Sequence, residues 1–137
     1  MMRKWLLPLL FCLGVYVFAS RGLQGGPEIT VDETAALFKG EPRPVLIDVR
    51  DRVDYDKGHI PGAMSVPAAD LKARLPSLKL PQFDAVVLYG ADDTRVRDST
   101  RLLYENGYQG ALTLKGGMAA WQAAGHMVQK PPAAARQ

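Results

Sequence analysis

The 137 residues are enough for one domain, and 47% hydrophobic with 23% charged residues is typical of a globular protein. The formal net charge is +3, and without Arg3 and Lys4 the chain has 15 basic and 14 acidic residues. The sequence has no basic run, Cys/His cluster or alternation of aromatic and basic residues. The sequence therefore lacks the usual features of a nucleic-acid-binding protein, and we expect no nucleic-acid partner.

Residues 1–20 have the pattern of a targeting segment. Arg3 and Lys4 form a short basic region, and residues 5–19 are uncharged and apolar. This stretch of about 15 residues is shorter than the roughly 20 that span a bilayer. A signal peptide cleaved after Ala19 and a retained membrane anchor both remain open, with a buried core helix as a third interpretation.

We therefore expect a protein of the cell envelope. It would be periplasmic if residues 1–20 are removed, and otherwise a single-pass inner-membrane protein that faces the periplasm and associates with the membrane through 1–20. A eukaryotic secretory or organellar membrane is the alternative location. The single cysteine, Cys12, lies in the apolar stretch, so cleavage would leave a chain with no disulfide and no thiol chemistry of its own. Because the bulky Phe11 precedes Cys12, we expect no lipoprotein site here.

After the targeting segment, residues 21–28 contain three glycines and a proline and are predicted to form a flexible linker. The folded domain is predicted over 29–128, and the Pro/Ala-rich residues 129–137 are predicted to be a disordered tail. Thr30 and Glu33 match a capping box that would begin a helix over 31–39.

Strands and helices are predicted to alternate through the domain. Apolar runs predict strands over 45–49, 63–66, 85–89 and 111–114, and helices are predicted over 52–57, 68–75, 95–105 and 118–124. This alternation favours an α/β fold with a parallel sheet covered on both faces. Ligands of such sheets bind beyond the carboxyl ends of the strands, and Gly90 lies at that edge.

Two separate motifs resemble the rhodanese family. The first comprises D-V-R at 48–50, D-Y at 54–55 and G-H-I-P-G-A at 58–63; the second comprises L-K-G-G-M-A-A-W at 114–121 with A-G at 124–125. The resemblance implies a five-stranded parallel sheet flanked by helices on both faces. It also implies an ancestral activity, the transfer of sulfane sulfur from a donor such as thiosulfate through a cysteine persulfide. We expect no cofactor and no metal.

The loop after the strand at 85–89 departs from the family pattern. It comprises Gly90, Ala91, Asp92, Asp93, Thr94 and Arg95. The resemblance places the family's nucleophilic cysteine at Gly90 and its loop-closing arginine at Arg95. Glycine carries no nucleophile. Each carboxylate beside a bound thiosulfate would cost about 1 kcal/mol in a solvated site. We therefore expect no catalytic residue and doubt sulfur transfer by the family mechanism.

The polar residues around this edge have structural and functional interpretations. Asp48 either helps to order the loop, as the resemblance implies, or caps backbone N–H groups at a strand end. Arg50 and Asp54 are predicted to form an ion pair that joins strand to helix, with a binding edge as the alternative. The resemblance makes His59 a residue that packs a turn rather than a catalytic base.

The loop residues have similar alternatives. Asp92 or Asp93 is predicted to be the N-cap of the following helix, while a cation site is less favoured because no third ligand is visible. Arg95 is predicted either to pair with one of these carboxylates or to bind an anion. Outside the loop, Trp121 is predicted to be a core residue and His126 to be exposed.

Three functions are consistent with these observations. The favoured hypothesis is a catalytically inactive rhodanese-like domain, a pseudoenzyme of the cell envelope that binds a protein or ligand. The alternative is an enzyme with cysteine-independent chemistry that uses Arg95 with Asp92 or Asp93. The third is a structural partner of a neighbouring sulfurtransferase or redox protein, with the loop as the docking surface.

Overall fold

The structure, a computed structural model, describes residues 27–131. The predicted signal or anchor at 1–20 lies outside the described residues, as do most of the predicted linker and tail. Within 27–131, no helix combines the length and the apolar character that crossing a membrane requires.

Strands and helices alternate as the sequence predicts. The strands are β1 (Glu28–Ile29), β2 (Val45–Asp48), β3 (Met64–Ser65), β4 (Val86–Tyr89) and β5 (Ala111–Leu114). The helices are α1 (Val31–Leu37), α2 (Arg52–Lys57), α3 (Ala68–Arg74), α4 (Asp93–Glu105) and α5 (Gly117–Ala123), and a 3-10 turn (Leu75–Ser77) follows α3.

The five strands form one sheet in the order β1-β5-β4-β2-β3. Every neighbouring pair is parallel, and the central pair aligns Ile47 with Leu88. The predicted α/β fold with a five-stranded parallel sheet is therefore confirmed. Both edge strands, β1 and β3, are only two residues long.

The core lies on both faces of the sheet because successive side chains of a strand point to opposite sides. In β4, Val87 and Tyr89 pack on the face covered by α1 and α5, while Val86 and Leu88 pack on the face covered by α3 and α4. All four side chains of β4 are completely buried. This central strand carries the candidate loop at its carboxyl end.

Two predicted segment boundaries are wrong. Glu28 belongs to the predicted linker but pairs with Thr113 through β1, and its carboxylate accepts a hydrogen bond from Arg97 at 2.8 Å. Gln129 belongs to the predicted tail but forms an antiparallel bridge with His59. Both contacts join residues far apart in the sequence, and local composition contains no signal of them.

Helix ends differ from the predictions by a few residues. The capping box at α1 is confirmed: Thr30 Oγ1 accepts the Glu33 N–H at 3.2 Å, and Glu33 Oε2 accepts the Thr30 N–H at 2.9 Å. The helix ends at Leu37 rather than at residue 39. Helix α4 begins at Asp93, two residues earlier than predicted, because its N-cap is Asp92.

Candidate functional site

The candidate loop occupies the carboxyl edge of the sheet. Gly90 follows β4 directly and is buried, whereas residues 91–95 are exposed. The hydrogen bond from the Val49 N–H to the Tyr89 carbonyl, 3.0 Å long, continues the β2–β4 pairing to the start of the loop. The loop therefore leaves a rigid central strand and passes at once into α4.

Asp92 caps α4, which confirms the predicted N-cap and selects Asp92 over Asp93. Its Oδ1 accepts the Thr94 N–H at 2.9 Å, and its carbonyl accepts the Val96 N–H at 3.1 Å. A carboxylate here satisfies a free amide of the first turn and interacts favourably with the helix dipole. The helix N-terminus thus already has an anionic group of its own.

The predicted ion pair between Arg95 and Asp92 or Asp93 is not formed. Among residues 27–131, the Arg95 guanidinium makes no salt bridge. Asp92 is engaged by Thr94, and residues two positions apart on a helix do not face each other, so Asp93 points away from Arg95. Arg95 is therefore an exposed cation available for contact with another molecule.

Gly90 lies in an enclosed place. A Cβ built on it would be 2.9 Å from Val96 Cγ2, 3.3 Å from Val49 Cγ2 and 3.9 Å from Arg50 Cγ. On the other side, the Gly90 carbonyl accepts the Met118 N–H at 3.4 Å and lies against Gly117. The end of β4 is therefore packed against both α4 and the start of α5, and a side chain at residue 90 would require its neighbours to shift.

A buried ion pair lies at the carboxyl end of β2, next to the end of β4. Asp48 is completely buried, and its carboxylate accepts hydrogen bonds from Arg50 Nε at 3.0 and 3.1 Å and from Nη2 at 2.7 Å. Asp48 Oδ1 also accepts the Arg50 N–H at 3.0 Å, which confirms its role in capping the strand end. Burial opposes the charge on Arg50, but the hydrogen bonds and the negative charge of Asp48 outweigh it and raise the pKa of the guanidinium.

The predicted ion pair between Arg50 and Asp54 is wrong. Arg50 turns back to Asp48, and its Nη2 also donates to the Gly58 carbonyl at 2.7 Å. Asp54 is half-buried on α2 and makes no salt bridge within residues 27–131. The bond that joins strand to turn therefore runs through Gly58 rather than through a second carboxylate.

Tyr89 links the same network to the turn that follows α2. Its hydroxyl accepts the Ile60 N–H at 3.0 Å, and the Arg50 guanidinium lies 5.9 Å from the centre of its ring. Burial raises the pKa of the Tyr89 hydroxyl far above its usual value, and the charge of Asp48 adds to the effect.

His59 packs the turn, as expected. Its ring stacks on Tyr55 with ring centres 3.7 Å apart, and its Nδ1 lies 3.0 Å from the Tyr55 carbonyl oxygen. Its backbone forms two hydrogen bonds with Gln129, of 2.9 and 2.8 Å. These contacts account for His59 as a structural residue.

Comparison with known proteins agrees with the fold and the motifs. Residues 30–124, most of the described chain, match the Rhodanese-like domain family. The chain belongs to this family. It is similar to the Alr3790 protein from Anabaena sp., whose crystal structure superposes with a TM-score of 0.69 at 36% identity, covering 79% of this chain and 86% of that one.

Two curated relatives carry sulfurtransferase names. The probable adenylyltransferase/sulfurtransferase MoeZ of Mycobacterium tuberculosis is 32% identical over 111 residues, which are 81% of this chain. The rhodanese-like chain spans only 28% of the length of that protein. The thiosulfate sulfurtransferase GlpE of Pseudoalteromonas translucida is 28% identical over 96 residues, covering 70% of this chain and 89% of that enzyme. The domain is therefore related to sulfurtransferases.

Several features of this rhodanese-like domain were not predicted from its sequence. Trp121 is a core residue, as expected, but His126 is half-buried against it, with ring centres 4.6 Å apart. The contacts of Val49 and Val96 with Gly90 were also missed, because an apolar residue on a predicted strand or helix does not reveal which loop it packs against. Within 27–131, no group of three His, Cys, Asp or Glu residues could hold a metal ion.

Proposed function

We propose that this rhodanese-like domain is inactive in the family's sulfur transfer and acts as a binding module for a protein or ligand. One observation carries the proposal. Gly90, at the position where the family motif has its nucleophilic cysteine, is buried at the end of β4, and residues 27–131 contain no cysteine. Without a thiolate at this position no persulfide can form by the family route.

The electrostatics of the loop support the same conclusion. The Asp92 carboxylate occupies the Thr94 amide, a group that could otherwise bind an anion at the start of α4. Thiosulfate would have to displace this carboxylate and approach Asp93 as well, against a repulsion of about 1 kcal/mol for each charge.

The exposed residues 91–95 form the binding surface that we propose. Three charged residues, Asp92, Asp93 and Arg95, lie at the N-cap and in the first turn of α4. Such a well-ordered segment loses little conformational entropy when it binds, which favours its use as a docking surface. A partner with charges of both signs would complement it. A sulfurtransferase or redox protein that neighbours this domain is one candidate.

We propose a cell-envelope location from the sequence of residues 1–20. The domain would be periplasmic after cleavage, or held at the inner membrane and facing the periplasm if the segment is retained. Mass spectrometry of the N-terminus of the protein purified from envelope fractions tests this directly. A protein recovered intact from the cytoplasmic fraction would contradict the proposal.

A sulfur-transfer assay tests inactivity. The purified full-length chain is given thiosulfate and cyanide, and thiocyanate formation is compared with a Cys12→Ser variant, which removes the chain's only cysteine. We expect both proteins to match the uncatalysed background. Turnover above background in the Cys12→Ser protein would refute the proposal, because the chain would then transfer sulfur without any thiol.

A crosslinking experiment tests the binding role. The chain is crosslinked in envelope membranes, and partners captured by the native protein are compared with those of an Asp92→Asn/Asp93→Asn/Arg95→Gln variant. The matched control is Asp98→Asn/Arg101→Gln, which removes an exposed charge pair from the same helix. We expect loss of one specific partner from the loop variant alone. Equal capture by both variants would refute a role for the loop.

The exposed guanidinium of Arg95 keeps a second function open, namely cysteine-independent chemistry on an anionic substrate. This alternative requires Asp93 to act as an acid or base on a substrate that the Arg95 guanidinium binds. Asp93→Asn and Arg95→Gln would each then abolish an activity that Asp98→Asn retains. Retention of that activity in both loop variants would exclude the alternative.

A further inference from the structure

The side chain that most restricts Gly90 is Val96, on the first full turn of α4. Its Cγ2 atom would lie 2.9 Å from a Cβ at residue 90, a distance that real Cβ atoms essentially never show. Val96 is 1% exposed and belongs to the core cluster under α4. Its methyl groups therefore fill the space into which a side chain of residue 90 would project.

Val96 has little freedom to move away. A β-branched side chain in a helix is confined to one strongly preferred rotamer, so the methyl group cannot simply turn aside. The Val96 N–H is bonded to the carbonyl of Asp92, the helix cap, at 3.1 Å. Relief of the contact would therefore need movement of the first turn of α4.

The backbone of Gly90 is equally confined. Val49 Cγ2 lies 3.3 Å from the same Cβ position, and the Gly90 carbonyl lies directly against Gly117. Gly117 adopts a left-handed conformation with φ of 57°. Residue 90 thus cannot withdraw from Val96 without disturbing the turn before α5.

We infer that Val96 is a specificity-determining residue that excludes a nucleophile from this loop, and that Gly90 and Val96 form one packing unit. A side chain at residue 90 fits without strain only when residue 96 is made smaller. The inference rests on the proposed function and extends it, since it assigns the loss of the nucleophile to two residues instead of one.

A stability cycle tests the packing. Gly90→Ala adds only the Cβ, and the overpacking should lower the melting temperature by about 5 °C or more. Gly40→Ala is the matched control, because a Cβ there meets only the Leu37 carbonyl oxygen at 3.9 Å. We expect Gly90→Ala/Val96→Ala to be more stable than the sum of the two single changes predicts. Additive effects, or equal behaviour of Gly90→Ala and Gly40→Ala, would overturn the inference.

A chemical test uses the full-length chain with Cys12→Ser, so that a cysteine at residue 90 is the only thiol. With thiosulfate, the thiolate would attack the outer sulfur; a new S–S bond forms to that sulfur, the S–S bond of thiosulfate breaks, and sulfite leaves with the electron pair. The product is a persulfide one sulfur atom heavier, which intact-mass spectrometry detects. The variants compared are Gly90→Cys alone and Gly90→Cys/Val96→Ala.

We expect the double variant to form the persulfide about tenfold faster or more. Equal rates in the two variants, including no modification of either, would overturn the role of Val96. Failure of the proposed function would be seen separately, as sulfur transfer by the Cys12→Ser protein that still has Gly90 and Val96.

Discussion

Replacing Arg50 with alanine should destabilise the domain severely. The guanidinium donates three hydrogen bonds to Asp48 and one to the Gly58 carbonyl, all between 2.7 and 3.1 Å. The Asp48 side chain is 0% exposed and that of Arg50 only 12%. Alanine would leave the carboxylate buried without its cationic partner.

The expected cost follows from this geometry. Breaking a buried ion pair by removing one partner costs about 3–5 kcal/mol, because the remaining charge stays buried without compensation. A domain of this size has a free energy of unfolding of about 5–15 kcal/mol, so about a fifth of its stability or more would be lost. In urea, the midpoint of unfolding should fall by about 2 M.

The assay is urea unfolding of the purified chain followed by circular dichroism, with Arg52→Ala as the control. Arg52 pairs with Asp56 at 3.1 Å, but this pair is exposed, at 70% and 40%. Its loss, together with that of the contact with Tyr55, should cost at most about 2 kcal/mol. The double change Arg50→Met/Asp48→Leu should recover most of the stability. The reasoning is refuted if Arg50→Ala costs no more than Arg52→Ala.

Three further predictions concern the remaining buried groups. Thr100→Val should lower the free energy of unfolding in urea by about 1–3 kcal/mol, because the buried Thr113 hydroxyl, which lies 2.7 Å from Thr100 Oγ1, would lose its partner. Thr100→Val/Thr113→Val should cost less, and a larger loss in the double variant would contradict the prediction. Gly117→Ala should cost more than 1 kcal/mol, because the new Cβ would collide with the Gly90 carbonyl and the residue has a positive φ; a melting temperature equal to that of the native chain would contradict it. Burial raises the pKa of the Tyr89 hydroxyl in the folded state, so the unfolded chain loses this proton first as the pH rises. The free energy of unfolding should therefore keep its full value below about pH 10 and fall above it by up to about 1.4 kcal/mol for each pH unit. Tyr89→Phe should reduce this slope. An unchanged slope in denaturant titrations between pH 9 and 11 would assign the effect to another group, such as Tyr55, whose pKa burial also raises.

Local sequence signals predicted most of the fold. The capping box at Thr30, the apolar runs of β2 and β4 and the N-cap at Asp92 each depend on residues within one or two turns of the chain. Such interactions leave a pattern that can be recognised without knowledge of distant contacts. The fifth strand was implied by the resemblance to the family, since no apolar run indicated it.

The failures have a common physical cause. β1 exists because Glu28 meets Thr113 and Arg97, and Gln129 is ordered because it meets His59. These pairings depend on long-range packing, which a two-residue segment does not encode locally.

The candidate site shows the same limit on a smaller scale. Two carboxylates, those of Asp48 and Asp54, are close enough in sequence to form an ion pair with Arg50. Only the direction of the Arg50 side chain at the end of β2 selects Asp48. The motif draws attention to Gly90, whereas the packing of Val96 against it could not be predicted, since Val96 looks like any other buried residue of an amphipathic helix.

The two-residue strands at both flanks of the sheet limit how this domain can meet other chains. An incoming peptide that extended the sheet at β1 or β3 would find a matching main chain only about two residues long on either side. Strand addition, a common way to bind extended peptides, would thus gain few hydrogen bonds. The same blunt flanks oppose edge-to-edge polymerisation of the domain, and they leave recognition to loops and helix surfaces.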